Sequence, residues 1–187
     1  GTAAVTTSSE IQVDRLAQAH KLVSAGFATP ATVVGTGTLT LSMNGNSFSI
    51  NVVDAENDTL SEIRDAINED ANNPGIKASI LTVADPDHPG STLAKLVLTS
   101  EKTGEDNAIS VSVSGDTDGD DSNAAGLSQL VYNPGVTENL TQVTAAQDAR
   151  IFVDGFEATS STNSFSGVIE GVTINAVSAD PGNAHTL

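Results

Sequence analysis

The chain has no cysteine and no tryptophan, and its only aromatic residues are five phenylalanines and one tyrosine. The missing cysteine excludes disulfide bridges, thiolate nucleophiles and cysteine-ligated zinc or iron–sulfur centres. With so few aromatic side chains, any core must consist of valine, isoleucine, leucine and alanine. In a chain of 187 residues, we therefore expect two small aliphatic cores rather than one large core.

Positive charge is also scarce. The chain has 7 Lys and Arg residues against 24 Asp and Glu residues, which gives a formal net charge of −17. Such a charge repels nucleic acids and anionic membranes. No apolar run approaches the roughly 20 residues that cross a bilayer, and no secretory signal pattern is seen. We therefore expect neither nucleic acid nor membrane among the partners.

Apolar and polar residues alternate in well-formed runs, which predicts a folded chain rather than a disordered acidic tail. Residues 10–23 are ambiguous between helix and strand, and we favour a long strand with a bend near Leu16-Ala17. The pattern is clearer over residues 37–52, where alternation on both sides of Asn44-Gly45-Asn46 predicts a β-hairpin with one apolar face.

A helix with a clear beginning follows the hairpin. Thr59 and Glu62 have the spacing of a capping box, in which each side chain accepts a hydrogen bond from the other residue's backbone N–H. The predicted apolar face consists of Leu60, Ile63 and Ile67. Pro74-Gly75 prevents the helix from continuing.

Further strand patterns complete the predicted architecture. They lie at 76–80, 93–99 and 108–113, so residues 36–114 have the order β-β-α-β-β-β. The acidic run DTDGDD at 116–121 then marks a change in composition. Beyond it, short strands around Asp154-Gly155 and Gly171 predict an all-β second unit. The fold class is therefore α+β and mainly β, with a single packed helix.

Two ordered sets of motifs carry a family resemblance. The first set is DTLSEIRDAIN, GIKASI and LVLTSEKTGEDNAISV, and it resembles the internal repeat of flagellin-like and hook-associated proteins. The second set is AAQDA (145–149), VDG (153–155), SSTN (160–163) and GVTI (171–174). In this order, the two sets resemble the filament cap proteins of bacterial flagella, the hook-associated protein 2 family. The segment LAQAHKL is similar to that family's lead-in strand.

The resemblance implies a domain division. Residues 1–35 and 140–187 would form one discontinuous all-β domain, with residues 36–115 inserted into it as an α+β domain. Residues 116–139 would be an exposed acidic, glycine-rich connector. The family has heptad-patterned helical segments on both sides of its head domains, and this sequence has neither. We therefore interpret the chain as a head-domain fragment.

The resemblance also implies a non-catalytic cap at the distal, extracellular tip of the flagellar filament. In the family, a ring of copies guides exported flagellin into place and prevents its loss. The implied partners are thus further copies of the chain and flagellin, and no cofactor is implied. Two alternatives stay open. One is a surface adhesin for host mucin or other glycans, and the other is a different flagellar protein, such as a hook–filament junction protein or a flagellin with an inserted repeat.

The acidic run contains the best candidate for a metal site. Asp116, Asp118 and Asp120 occupy positions one, three and five of a calcium loop. Asp121 and Leu127 stand where that loop needs a glycine and a bidentate glutamate. A solvated acidic loop is therefore the favoured interpretation.

Other candidate sites are weaker. Asp85, Asp87 and His88 lie together in a proline-rich segment, which favours a rigid turn over a binding site. His20, His88 and His185 share no metal-ligand spacing. The chain has no nucleophile elbow and no dinucleotide fingerprint. We therefore predict no catalytic, cofactor-binding or metal-binding residue and no enzyme activity.

Assembly into a ring would place a constraint on the charged residues. Acidic side chains must be excluded from the contacts between copies or paired there with basic ones. We hypothesise that pairing involves the following basic residues: Arg15, Arg64, Lys77, Lys95, Lys102 and Arg150.

Overall fold

The computed structural model describes residues 8–186, which contain fifteen β-strands, one α-helix and two short 3-10 helices. The strands are β1 (Glu10–Arg15), β2 (Ala19–Val23), β3 (Gly37–Met43), β4 (Asn46–Val52), β5 (Ile76–Ala84), β6 (Thr92–Thr103), β7 (Ser110–Ser114), β8 (Tyr132–Asn133), β9 (Thr137–Glu138), β10 (Thr141–Thr144), β11 (Ala149–Val153), β12 (Phe156–Ser160), β13 (Ser164–Ile169), β14 (Val172–Asn175) and β15 (His185–Thr186). The helix is α1 (Leu60–Glu69), and the 3-10 helices span Glu105–Asn107 and Gly126–Leu130. The predicted fold class is confirmed.

The strands of the described residues form four sheets. Their strand orders are β12-β11-β1-β15, β10-β2-β6-β5, β13-β14 and β4-β3-β7-β8-β9. Every pairing between these strands is antiparallel. Antiparallel neighbours can be joined by tight turns, which agrees with the many turn signals in the sequence.

The first predicted hairpin is confirmed as β3 and β4. Leu39 pairs with Ile50 in its ladder, and both side chains are buried. The backbone φ angles of Asn44 and Gly45 are 52° and 72°. Two consecutive positive φ angles are typical of a type I′ turn, whose twist matches that of the two strands.

The helix α1 begins as predicted, with Thr59 as its N-cap. The backbone N–H of Glu62 donates to Thr59 Oγ1 at 3.4 Å, and the backbone N–H of Thr59 donates to Glu62 Oε2 at 3.1 Å. The predicted apolar face, Leu60, Ile63 and Ile67, is fully buried. Asn73 ends the helical segment by donating to the carbonyls of Ile67 and Ile76, both at 2.7 Å. No helix among residues 8–186 has the length and apolarity that crossing a membrane requires.

Residues 10–23 form two strands in two different sheets. β1 pairs with β11, whereas β2 pairs with β6 and β10. The bend lies at Leu16-Ala17 as predicted, but the prediction of one long strand is wrong because the chain passes there from one sheet to the other. Gln18 and Gln147 stabilise this crossing through two backbone hydrogen bonds of 2.8 and 3.2 Å.

The order β-β-α-β-β-β over residues 36–114 is confirmed, although its strands divide between two sheets. β3, β4 and β7 lie in the five-stranded sheet, and β5 and β6 lie in a four-stranded sheet with β2 and β10. Helix α1 packs against β5 and also contacts β4. The helix therefore fills the space that the two sheets enclose.

Two aliphatic clusters form the interior of the described chain, as the composition predicts. The larger cluster joins α1 and the β3–β7 strands to residues from 22–34 and 127–140. The smaller cluster contains residues of β1, β11, β13 and β14. Between the clusters the chain passes through 17–22 and 140–149. The division of the chain into domains stays a prediction.

The segment 116–139 is only partly the exposed connector that the sequence predicts. Residues 117–122 are exposed. Leu127, Leu130 and Tyr132 are buried in the larger cluster, and β8 and β9 extend the five-stranded sheet. The prediction of an exposed connector is therefore wrong for the second half of the segment, because its apolar side chains complete a core.

The C-terminal part is all-β, as predicted. β11 and β12 form a hairpin at Asp154-Gly155, where φ is 50° and 83°. β13 and β14 pair around Gly171. Phe165 and Ile174 are directly paired and buried, which fixes the apolar face of this second hairpin against the smaller cluster.

Candidate functional site

The acidic loop is held together by its own carboxylates. Asp116 is only 5% exposed, and its Oδ2 accepts hydrogen bonds from the Ser128 hydroxyl and from the Ser128 backbone N–H at 2.7 Å. Asp121 Oδ1 accepts from the Asp116 N–H at 2.8 Å, and Asp118 Oδ1 accepts from the Asp120 N–H at 2.9 Å. The interpretation as a solvated loop is therefore wrong for Asp116, which anchors the loop to the core.

The carboxylates that mimic a calcium loop do not converge on a common point. Within residues 8–186, no group of three His, Asp or Glu side chains is placed to hold a metal ion. Burial alone would raise the pKa of Asp116, but hydrogen bonds from Ser128 and from nearby backbone N–H groups together lower it. Asp116 Oδ2 thus receives its bonds from Ser128, whereas Oδ1 is buried without a hydrogen-bond partner among the described residues.

The segment 85–90 forms a rigid turn between β5 and β6. His88 Nδ1 lies 2.9 Å from Asp85 Oδ2, and the Asp87 N–H donates to Asp85 Oδ1 at 2.9 Å. The Asp87 N–H, and then the His88 ring, lower the pKa of Asp85. The His88 side chain is 76% exposed, so the pair stabilises the tip of a hairpin rather than an enclosed site.

His20 lies in a buried polar cluster that the sequence does not reveal. Its Nδ1 accepts the backbone N–H of Ile109 at 2.8 Å, so the proton of the neutral ring resides on Nε2. This Nε2 lies 3.0 Å from Gln142 Oε1, which also accepts the Tyr132 hydroxyl at 3.0 Å. Burial lowers the pKa of His20, and the Gln142 bond only partly opposes this shift. The cluster therefore links β2, β8 and β10.

An open groove of about 380 Å³ runs between β1 and the C-terminal strands. On its wall, His185 Nε2 lies 3.2 Å from Asp180 Oδ2. Ser178 also lines the groove, but no hydrogen bond joins its hydroxyl to His185 in the described part of the chain. Nucleophilic catalysis needs such a bond between nucleophile and base. The three residue types are present without the geometry of a triad.

The three arginines are already paired with carboxylates of the same chain. Arg15 lies 3.5 Å from Glu105, and Arg64 lies 2.6 Å from Asp65. Arg150 contacts Asp14 at 2.8 Å and Glu157 at 3.8 Å. Half of the six basic residues proposed for contacts between copies therefore have intramolecular partners.

The lysines have a different arrangement. Lys21 on β2 and Lys77 on β5 both pair in register with Thr99, which lies between them on β6. Directly paired residues lie on the same face of a sheet, and two strand spacings separate the lysine Cα atoms by about 10 Å. Lys95 lies on this face four residues from Thr99, where it pairs with Leu81.

We call the outer surface of the sheet β10-β2-β6-β5 the basic face. In order along the sheet, its rows contain Lys21, Thr99 and Lys77, then Val23, Val97 and Ser79, then Lys95 and Leu81, and finally Leu93 and Val83. None of these positions is acidic, but Glu101, exposed two residues after Thr99 on β6, lies on the same face and lines one groove together with Lys77. The other surface of the sheet contributes Leu22, Ala78 and Leu98 to the larger cluster.

Sequence reasoning identified only part of this face. It named Lys77 and Lys95 but omitted Lys21. The buried positions of His20 and Leu22 on either side would have placed Lys21 on the outer surface. Its neighbour Thr99 is remote in sequence, so the row of lysines becomes visible only in the folded chain.

Comparison with known proteins identifies relatives of the whole chain. Residues 38–102, from β3 to β6, match the family model described as the flagellin hook IN motif. The B-type flagellar hook-associated protein 2 of Pseudomonas aeruginosa is 36% identical over 179 residues, or 92% of this chain. The crystal structure of FliD from the same species matches with a TM-score of 0.78 at 32% identity, covering 100% of this chain and 80% of that one.

The chain belongs to the hook-associated protein 2 family.

A second FliD structure supports this membership. The D2-D3 domains of the flagellar cap protein FliD from Serratia marcescens match with a TM-score of 0.78 at 30% identity, covering 100% of this chain and 95% of that one. The resemblance drawn from the two sets of motifs is thus confirmed. Mucin adhesion is not favoured by these relatives, which are named for the flagellar hook and cap.

The family relationship concerns part of a longer protein in the curated relatives. This chain spans about a third of their length, with 36% of the Pseudomonas hook-associated protein 2 covered. The hook IN motif corresponds to the β-β-α-β-β segment of the larger cluster. The basic face is built largely from this motif, with β2 and β10 added from outside it.

Proposed function

We propose that this chain is the head region of a structural cap at the distal tip of the bacterial flagellar filament. The observation that carries the proposal is the match of the whole chain to structures named as flagellar cap proteins. The cap lies outside the cell and acts without catalysis. Its partners are further copies of itself and flagellin.

In this role, the head regions form a ring-shaped plate over the filament end. Exported flagellin folds beneath the plate before it joins the filament, and the plate prevents its loss. Movement of one copy opens the next position for a new subunit.

The junction between the two aliphatic clusters supports a mechanical role. The Thr103 hydroxyl donates to the carbonyl of Ser161 at 2.6 Å. Asp148 Oδ1 accepts the N–H of Glu105 at 2.8 Å, and the carbonyl of Asp148 accepts Arg15 Nε at 3.1 Å. The first two bonds connect the end of β6 and the residues after it to the part of the chain that forms the smaller cluster, and the third joins Asp148 to β1. A plate that withstands the export of subunits needs such cross-links between its parts.

Immunogold electron microscopy tests the proposed location. Antibody raised against this chain is applied to flagellated cells of the source strain, and pre-adsorption with the purified chain provides the control. We expect gold confined to the distal filament tips. Gold along the shaft would identify a flagellin, and gold at the hook junction would identify another hook-associated protein. Labelling of the cell body alone would support a surface adhesin and contradict the cap.

A further inference from the structure

The basic residues of the chain divide sharply by their partners. Each arginine has a carboxylate oxygen within 4.0 Å. None of the four lysines has one among residues 8–186. Three of these lysines, Lys21, Lys77 and Lys95, lie on the basic face, and the fourth is Lys102. The positive charge that the fold leaves without a partner is thus concentrated on one sheet surface.

We propose that the basic face binds an acidic surface of a second copy of this chain. The inference rests on the proposed cap function, in which copies of the head region contact one another. The basic face would form one side of that contact.

Charge complementarity favours a second copy of the chain as the partner of the basic face. A second copy carries a net charge of −17, so most ways of bringing two copies together place carboxylates against carboxylates. Like charges in a contact disfavour it, and opposite charges select the correct approach. The outward positions of the basic face carry three lysines against one acidic residue, Glu101. The face therefore keeps an excess of positive charge, which attracts an acidic surface of a neighbour.

The apolar residues of the basic face supply the second argument. Leu81 is 51% exposed beside Lys95, and Leu93 and Val83 form the next row. An exposed leucine beside a cationic side chain loses water contact when a neighbour covers it, which is favourable. Charged groups around an apolar centre are the usual anatomy of a contact between proteins.

The charge pattern also decides the symmetry of the contact. A two-fold contact centred on the basic face would oppose lysines to lysines. We expect the basic face to meet a different, acidic surface of its neighbour, in a head-to-tail arrangement. Repeated head-to-tail contacts close into a ring when the rotation between copies permits. This outcome is the one that a cap requires.

Matched lysine variants test the proposal in solution. Lys77 on the basic face and Lys102 outside it are both exposed, and each Lys→Glu change alters the net charge by the same amount. In sedimentation velocity at about 50 mM salt, we expect the wild-type chain and Lys102→Glu to associate, and Lys77→Glu to associate about tenfold more weakly. About 500 mM salt should dissociate all three, because exposed charge pairs are screened.

Zero-length cross-linking identifies the contact directly. A carbodiimide joins a lysine amine to a touching carboxylate as an amide with loss of water. In a mixture of ¹⁵N-labelled and unlabelled chains, we expect mixed-isotope cross-links from Lys21, Lys77 or Lys95 to acidic residues. Cross-links through Lys102 alone, equal association of Lys77→Glu and wild type, or a monomer under all conditions would overturn the proposal. A monomer that cross-links to flagellin through the same lysines would assign the face to flagellin instead. Gold labelling at filament tips would leave the cap function standing in each of these cases.

Discussion

The His20 ring accepts the backbone N–H of Ile109 at 2.8 Å, and both groups are buried. This bond needs an unprotonated Nδ1, because a protonated imidazole has no lone pair to accept it. Protonation of His20 would therefore place two donors against each other inside the larger cluster. The fold thus binds one specific neutral form of the histidine.

This relationship predicts a pH dependence of stability. The pKa of His20 is lowered from 6.5 by burial, so the unfolded chain binds a proton more readily than the folded one. The free energy of unfolding should keep its highest value above pH 6.5. It should fall as the pH drops from 6.5 towards the lowered pKa of His20 in the folded chain. Urea unfolding at about pH 7.5 and about pH 5.5 measures the difference.

A non-titrating variant separates this effect from others. In His20→Asn, the amide oxygen can replace Nδ1 as acceptor, and nothing at this position titrates near pH 6. We expect a less stable chain whose stability changes less over the same pH range. His88→Asn, at an exposed turn, serves as the control and should keep the wild-type dependence. An unchanged pH dependence in His20→Asn would refute the assignment.

Helix α1 should be essential for the larger cluster. Ile63 is fully buried, and burying such a side chain stabilises the fold by roughly 1.5–3 kcal/mol. Ile63→Asp would place an unpaired charge in this core, so we expect the larger cluster to unfold. Ile63→Val should cost only about 0.5–1.5 kcal/mol. Circular dichroism melting distinguishes them, and a wild-type melting curve for Ile63→Asp would contradict the packing of the helix.

Asp116 should stabilise the chain without calcium. Asp116→Ala leaves the buried Ser128 N–H without its acceptor, whereas the Ser128 hydroxyl can still donate to the Asp120 carbonyl at 2.8 Å, and the change should cost about 1–3 kcal/mol. Asp118→Ala removes only exposed hydrogen bonds, from the Asp120 N–H and the Asn123 side chain, and should cost about 0.5 kcal/mol. Neither calcium nor a chelator should shift the unfolding midpoint of the wild type. A calcium-dependent midpoint that Asp116→Ala abolishes would show that the loop binds metal.

Gly104 should be indispensable at the junction of the two clusters. Its φ angle is 106°, and an added Cβ would lie 2.7 Å from the Ser161 Cβ. Gly90 has a similar φ of 95° but no atom within 4 Å of the added Cβ. We expect Gly104→Ala to lower the thermal midpoint clearly more than Gly90→Ala, because only the former adds a clash to the shared backbone strain. Equal decreases of the thermal midpoint in the two variants would mean that the junction accommodates the added Cβ at little cost.

The sequence alone determined the local elements and the family. Asn44-Gly45 and Asp154-Gly155 specify their turns because few residues tolerate positive φ. Thr59 and Glu62 define the beginning of the helix through bonds that span only three residues. The ordered motifs indicated hook-associated protein 2, and the abundance of acidic residues raised the question of how copies could meet.

Only the tertiary structure decided which strands are neighbours and which charges remain unpaired. Lys21, Thr99 and Lys77 form one row because strands distant in sequence pair side by side. The burial of Asp116 likewise depends on its hydrogen bond with Ser128, which lies in the segment that the composition marks as a connector. Alternation tells which residues share a strand face, but it does not tell which strand lies beside it. Packing of the whole core decides which strands are neighbours, and this strand order brings the lysines together.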